Sequence, residues 1–199
     1  MKQIVLIHGG TDFRTYEEFI SQLKSEPVDI TEFQPKQRWR NTFAERLGPN
    51  YQVLTPTMPN KENAHYEEWK IWFEKMSPFL IDGVILMGHS LGGIFLAKYL
   101  SENTFPKKIG ATVLVSAPYN SEGLEPPLGD FQLTRPLENL AKQSPVIYLV
   151  HGGDDPIVPF SHAQKYLAQL PNAKLVTIPG GDHFSQPEFP ELIELIHGL

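Results

Sequence analysis

The sequence predicts an α/β protein: an open, mostly parallel six-stranded sheet with helices on both faces. Three observations lead there. Six short β-branched, apolar runs recur along the chain, and longer stretches with helical periodicity lie between them. Most of the runs are continuously apolar rather than alternating, as expected of strands buried on both faces of a parallel sheet. Polar and glycine-rich segments follow four of the six runs, which gathers them on one edge of such a sheet.

The first run is Gln3-Ile4-Val5-Leu6-Ile7-His8. A long connection follows, from Thr11 to about Pro35, carrying Phe13, Tyr16, Phe19 and Phe33. Its middle, Tyr16 to Lys24, has helical periodicity with Phe19, Ile20 and Leu23 on one side. Tyr51 to Thr55 is the second strand, and Tyr66 to Met76 is a crossover helix. Gly83 to Met87 is the third strand and Leu91 to Ser101 the next helix. Ala111 to Val115 is the fourth strand. Prolines 126, 127 and 136 oppose regular structure in the segment from Pro118 to Pro136. Val146 to Val150 and Lys174 to Ile178 complete the sheet. Helices are expected over His162 to Leu170 and Glu188 to His197.

A chain of 199 residues suits one domain, 1–199, and shows no internal linker or repeat. A net charge of −6 with no basic run argues against nucleic acid or an anionic membrane as partner. The apolar runs fall far short of the roughly 18 residues that span a bilayer. No signal-peptide pattern opens the chain and cysteine is absent, so a cytoplasmic location is expected. No dinucleotide or phosphate-loop fingerprint occurs, so no cofactor is expected. His8 and His151 each precede Gly-Gly at a strand end. Neither has a helical i, i+4 histidine partner, so both are read as packing or loop residues and no metal is expected.

The strand ends carry the chemistry. After the third strand comes Gly88-His89-Ser90-Leu91-Gly92, a lone serine between glycines that permit a sharp strand-to-helix turn. A serine hydroxyl is a weak nucleophile until a base takes its proton, and the base needs an orienting partner. His183, on the loop after the sixth strand, is the candidate base. Asp155, after the fifth strand, is the candidate orienting acid; Asp154 beside it competes, and Glu122 is a distant third choice. His89 is read as a structural neighbour of the nucleophile rather than a second base.

Gly88-His89-Ser90-Leu91-Gly92, Gly152-x-x-Asp155-x-x-Val158-Pro159 and Gly180-Gly181-Asp182-His183 resemble the three signatures of the α/β-hydrolase superfamily, in its order Ser, Asp, His. His8-Gly9-Gly10 resembles the His-Gly turn that lines that family's oxyanion hole. Met58-Pro59-Asn60 with Tyr66-Glu67-Glu68-Trp69, together with the small size, is similar to compact YdeN-type serine hydrolases. The resemblance implies a reduced α/β-hydrolase fold lacking the usual antiparallel amino-terminal pair. It also implies a cofactor-free serine hydrolase, carboxylesterase-like, with Ser90 attacking, His183 as base and Asp155 stabilising the imidazolium. The oxyanion would be held by the amide of Leu91 and that of Gly10 or Thr11.

Two segments are candidate lids, 11–35 and 118–136; for the first, a helix packed elsewhere on the sheet's edge is the even alternative. Phe13, Tyr119, Leu128, Phe131, Ile157 and Phe184 are candidate lining of an apolar pocket for a neutral acyl group, and a small-molecule ester is the expected partner. Two rivals share the same residues: a thioesterase or small peptidase on this scaffold, and a non-catalytic interaction module.

Overall fold

The computed structural model describes residues 1–199. Six strands form one sheet: β1 (Lys2–Ile7), β2 (Tyr51–Leu54), β3 (Val84–His89), β4 (Ile109–Val115), β5 (Ile147–Gly152) and β6 (Ala173–Ile178). Their order is β2-β1-β3-β4-β5-β6, and every pairing is parallel. No antiparallel strand joins the sheet, so all six carboxyl ends share one edge. The apolar runs predict this pattern because each central strand is covered twice. Along β1, Val5 and Ile7 enter a core of 29 residues on one face, while Ile4 and Leu6 enter a core of 15 on the other.

The larger core is closed by α3 (Tyr66–Glu74), α4 (Leu91–Glu102), the short α5 (Glu138–Gln143) and α6 (Ser161–Gln169). Helix α4 is buried from Leu91 to Ser101, so the helix that starts at Ser90 is fixed by packing on all sides. Trp69 packs edge-on against Phe131 and Phe95, with centroids 5.1 and 5.7 Å apart, geometry that favours aromatic pairs beyond their burial. The smaller core is closed by α2 (Trp39–Leu47) and α7 (Pro190–His197). Helix α2 was not expected from the sequence, although Trp39, Phe43 and Leu47 at four-residue spacing form its buried face.

The two lid candidates differ. Helix α1 (Tyr16–Ser25) has no buried residue, and Val28, Ile30 and Phe33 beyond it are exposed. The helix stands beside Asn60–Glu68, leaving a groove of about 410 Å³ lined by Tyr16, Phe19 and Lys61. Segment 118–136 lies against the strand ends and is pinned there. Asp12 Oδ2 accepts the amides of Gly129 (2.9 Å) and Phe131 (3.4 Å). His162 Nδ1 accepts the Tyr119 amide, so its Nε2 carries the proton and donates to the Glu122 carbonyl, both at 2.8 Å. No helix is long and apolar enough to cross a membrane.

Candidate active site

Ser90 sits between β3 and α4 with φ 55° and ψ −122°, a left-handed conformation that costs a non-glycine residue about 1–3 kcal/mol. Its amide donates to the Val115 carbonyl at 2.8 Å, which ties the turn to β4. The flanking glycines permit the crowding. A Cβ on Gly88 would meet the Gly92 carbonyl oxygen at 2.2 Å, and one on Gly92 would meet the Ile7 oxygen at 2.5 Å. Any side chain at either position would push α4 off the sheet and move Ser90 with it.

Asp155 is held at the end of β5 by its own loop: Oδ1 accepts the amides of Ile157 and Val158, both at 2.9 Å. Its carboxylate receives His183 Nδ1 at 2.9 and 3.1 Å. Burial alone would raise the Asp155 pKa, but the bond and charge of His183 and the two amides outweigh it and hold it down at about 2. Asp155 is thus ionised, Nδ1 of His183 carries a proton toward it, and Nε2 is left for the cleft. Ser90 and His183 line that one cleft without a hydrogen bond between them. Asp154 is exposed, and Glu122 pairs with Lys165 at 2.6 Å on the surface.

The loop bearing His183 is sewn to α2. Trp39 donates from its ring nitrogen to the Phe184 carbonyl and from its amide to that of Gln186, both at 2.9 Å. Arg38 donates to the Ser185 carbonyl at 3.1 Å. Arg40 donates to His89 Nδ1 at 3.0 Å, which makes Nε2 the protonated nitrogen, and Nε2 donates to the His183 carbonyl at 2.8 Å. Burial, with the neighbouring His183 and Arg40, pushes the His89 pKa well down, so the ring stays neutral as this pattern requires. His89 is therefore a structural bridge between Arg40 and the backbone at His183. The sequence alone identified neither Arg40 nor Arg38, because their contacts with His89 and Ser185 depend on how α2 docks and leave no local pattern.

Two backbone amides bear on the oxyanion assignment. The Thr11 amide is already bonded to the Lys61 carbonyl at 2.9 Å, whereas Gly10 makes no backbone bond of its own. Leu91 is the first residue of α4, where amides lack an intrahelical acceptor. His8 orders this turn: Nε2 accepts the Met58 amide at 2.8 Å and Nδ1 donates to the Gly9 carbonyl at 2.6 Å. His151 Nε2 donates to the Val158 carbonyl at 2.8 Å and so steadies the Asp155 loop. No group of three or more metal-ligating side chains is present.

The cleft has two lobes that meet at Ser90. The smaller, about 90 Å³, is lined by Gly10, Leu91, Leu124, Pro126, Leu128 and Val158, with Ile157 at its rim. The larger, about 400 Å³, is lined by His183, Arg38, Arg40, Lys61, Glu62 and Asp182. Of the expected pocket residues, Leu128 and Ile157 line the cleft and four do not. Phe131 is fully buried against Trp69, and Phe184 is fully buried and stacked on Phe189 at 4.3 Å; both fill cores. Phe13 is buried against Phe19, and Tyr119 turns to Tyr166 and Gln169 on α6. Apolar type alone does not separate core from pocket wall, which explains these four departures.

A wholly parallel sheet in this order, with a strained serine turn at the end of β3, defines an α/β-hydrolase fold. Within it, the chain belongs to the serine hydrolase family, whose model matches residues 32–189. It is 28% identical over 163 residues to the serine hydrolase RBBP9 of Rattus norvegicus, covering 81% of this chain and 84% of that one. It is 29% identical over 143 residues to YdeN of Bacillus subtilis (strain 168), covering 71% and 75%. The crystal structure of the B. subtilis ydeN gene product superposes with a TM-score of 0.74 at 20% identity, over 100% of this chain and 98% of that one.

Proposed function

We propose that this serine hydrolase cleaves small carboxylic esters through an acyl-enzyme on Ser90, with Asp155 and His183 completing a triad. The observation that carries the reading is the Asp155–His183 hydrogen bond at 2.9 Å, set in a cleft that Ser90 enters from its strained turn. Ser90 Oγ adds to the ester carbonyl as His183 Nε2 takes its proton, a contact that must tighten on substrate binding, as is common in unliganded sites. Asp155 stabilises the imidazolium and keeps its charge. The amides of Leu91 and Gly10 hold the oxyanion, each worth about 3–4 kcal/mol in the transition state. His183 then protonates the leaving oxygen as the carbon–oxygen bond breaks, and water, deprotonated by His183, releases the acid.

The lobes divide the substrate. Of the oxyanion donors, Leu91 lines the small lobe alone and Gly10 lines both, so the acyl group is assigned to the small lobe; His183 lines only the large lobe, so the leaving group departs through it. The small lobe, about 90 Å³, is the narrower of the two and suits a short acyl group such as acetyl. Labelling with a fluorophosphonate probe tests the nucleophile. The wild type is expected to label and Ser90→Ala to lose both label and acetyl-ester turnover, by about 10⁴-fold or more. Persistent labelling of Ser90→Ala refutes the assignment.

A further inference from the structure

The large lobe is a poor match for a neutral leaving group. Five charged side chains face it: Arg38, Arg40, Lys61, Glu62 and Asp182. The carboxylates are engaged locally. Glu62 lies 3.2 Å from Lys61, and Asp182 Oδ1 accepts the Phe184 amide at 2.7 Å. Neither arginine forms an ion pair with a carboxylate; Arg38 spends one nitrogen on the Ser185 carbonyl and Arg40 one on His89. Both are half-buried, and Arg40 has its pKa lowered by burial and then by repulsion from Arg38. Arg38 and Arg40 thus line one lobe with like charges that repel, each with guanidinium N–H groups left over after a single protein hydrogen bond, in a chain whose net charge is −6.

We infer that the large lobe binds a carboxylate on the leaving group through Arg38 and Arg40, so that the preferred substrates join a short neutral acyl group to an anionic alcohol. The inference rests on the hydrolase reading above and adds the substrate's charge to it. Three cations against two carboxylates leave one surplus positive charge, which matches a monoanion. The planar forks of arginine suit a carboxylate's two oxygens. The reaction is unchanged by this: the ester carbon–oxygen bond breaks, and the leaving oxygen takes its proton from His183 while the carboxylate stays ionised and bound.

The test uses three acetate esters of one phenol skeleton: 3-acetoxybenzoate, its methyl ester, and 3-acetoxyphenyl-trimethylammonium. Their leaving groups are anionic, neutral and cationic. The wild type is expected to favour the anion over the neutral ester in kcat/KM by about tenfold and to disfavour the cation. That preference should shrink as salt rises from about 0.05 to 0.5 M, where screening tightens. Arg38→Gln, at the residue that precedes α2, should lower the ratio severalfold, and Arg38→Lys should restore part of it. Equal kcat/KM across the three esters, or a ratio that Arg38→Gln leaves untouched, overturns the carboxylate site while leaving the hydrolase intact. No turnover of any ester, with no fluorophosphonate label, overturns the hydrolase reading and this inference together.

Discussion

On one side of Ser90, a space of about 90 Å³ has five hydrophobic residues among the twelve that wall it, with Asp12 and Glu125 among the rest; on the other, a space of about 400 Å³ has a single hydrophobic residue among fourteen. The construction differs as much as the chemistry. The small lobe is backed by buried polar pins, Asp12 under residues 129–131 and His162 under 119–122, so its walls are held from behind. The large lobe is walled by loop residues and by the start of α2, with Lys61 and Glu62 exposed. A small lobe with pinned walls discriminates by volume. An open charged lobe discriminates by sign and tolerates size.

The largest effect should leave this contrast intact. His183→Ala and Asp155→Asn remove machinery common to both lobes, and kcat should fall by about 10³–10⁴ for neutral and anionic acetate esters alike. A loss that differs by more than about tenfold between the two esters would show that His183 or Asp155 also selects the leaving group. The folded state of both variants is checked by circular dichroism.

Asp155 gives a second, pH-dependent reading. Its pKa is held at about 2, below an ordinary carboxyl of about 3.9, so its stabilisation is fully present above about pH 4 and is lost as pH falls toward 2. The urea stability of the wild type should therefore drop by about 2 kcal/mol more across that interval than that of Asp155→Asn, which has no such proton to gain. Parallel curves for the two proteins would mean that the His183 bond is weaker than its 2.9 Å implies.

Much of this was legible in the sequence for a physical reason. A strand buried on both faces must be apolar throughout, and its exit must turn sharply, so Val84 to Met87 followed by glycines around Ser90 announces both fold and site. The same logic marks the ends of β5 and β6 that bear Asp155 and His183. What stayed hidden has no local signature. Arg40 reaches His89 across 49 residues of chain, and its meaning depends on how α2 docks. Phe131 and Phe184 are as apolar as any pocket residue, and only packing sends them to the cores. Burial of α4 through Lys98 is equally unannounced: its ammonium reaches the Gln132 carbonyl at 2.7 Å and Glu102 at 3.4 Å.

The volume rule for the small lobe can be sharpened directly. Leu128 is 5% exposed and lines that lobe behind Ser90, so Leu128→Ala should enlarge it. The ratio of butyrate to acetate ester turnover should rise by about tenfold, the value of one or two methylenes finding an apolar wall. Preference between anionic and neutral leaving groups should not move. A change in the second ratio and none in the first would reverse the assignment of lobes to substrate halves.

The smallest expected effect concerns the segment that joins neither lobe. Residues 14–37 line neither side of the Ser90 cleft, and Phe33 in this segment is 74% exposed. Phe33→Ser removes almost no buried surface, so stability should change by about 0.5 kcal/mol or less. Both selectivity ratios should stay where they are, because no residue of this segment lines either lobe. The chain resumes contact with the site only at Arg38, where the half-buried guanidinium meets Ser185. If Phe33→Ser altered acyl preference, the segment would have to fold over the small lobe during turnover, and the 90 Å³ limit would belong to a closed state rather than to the walls around Leu128.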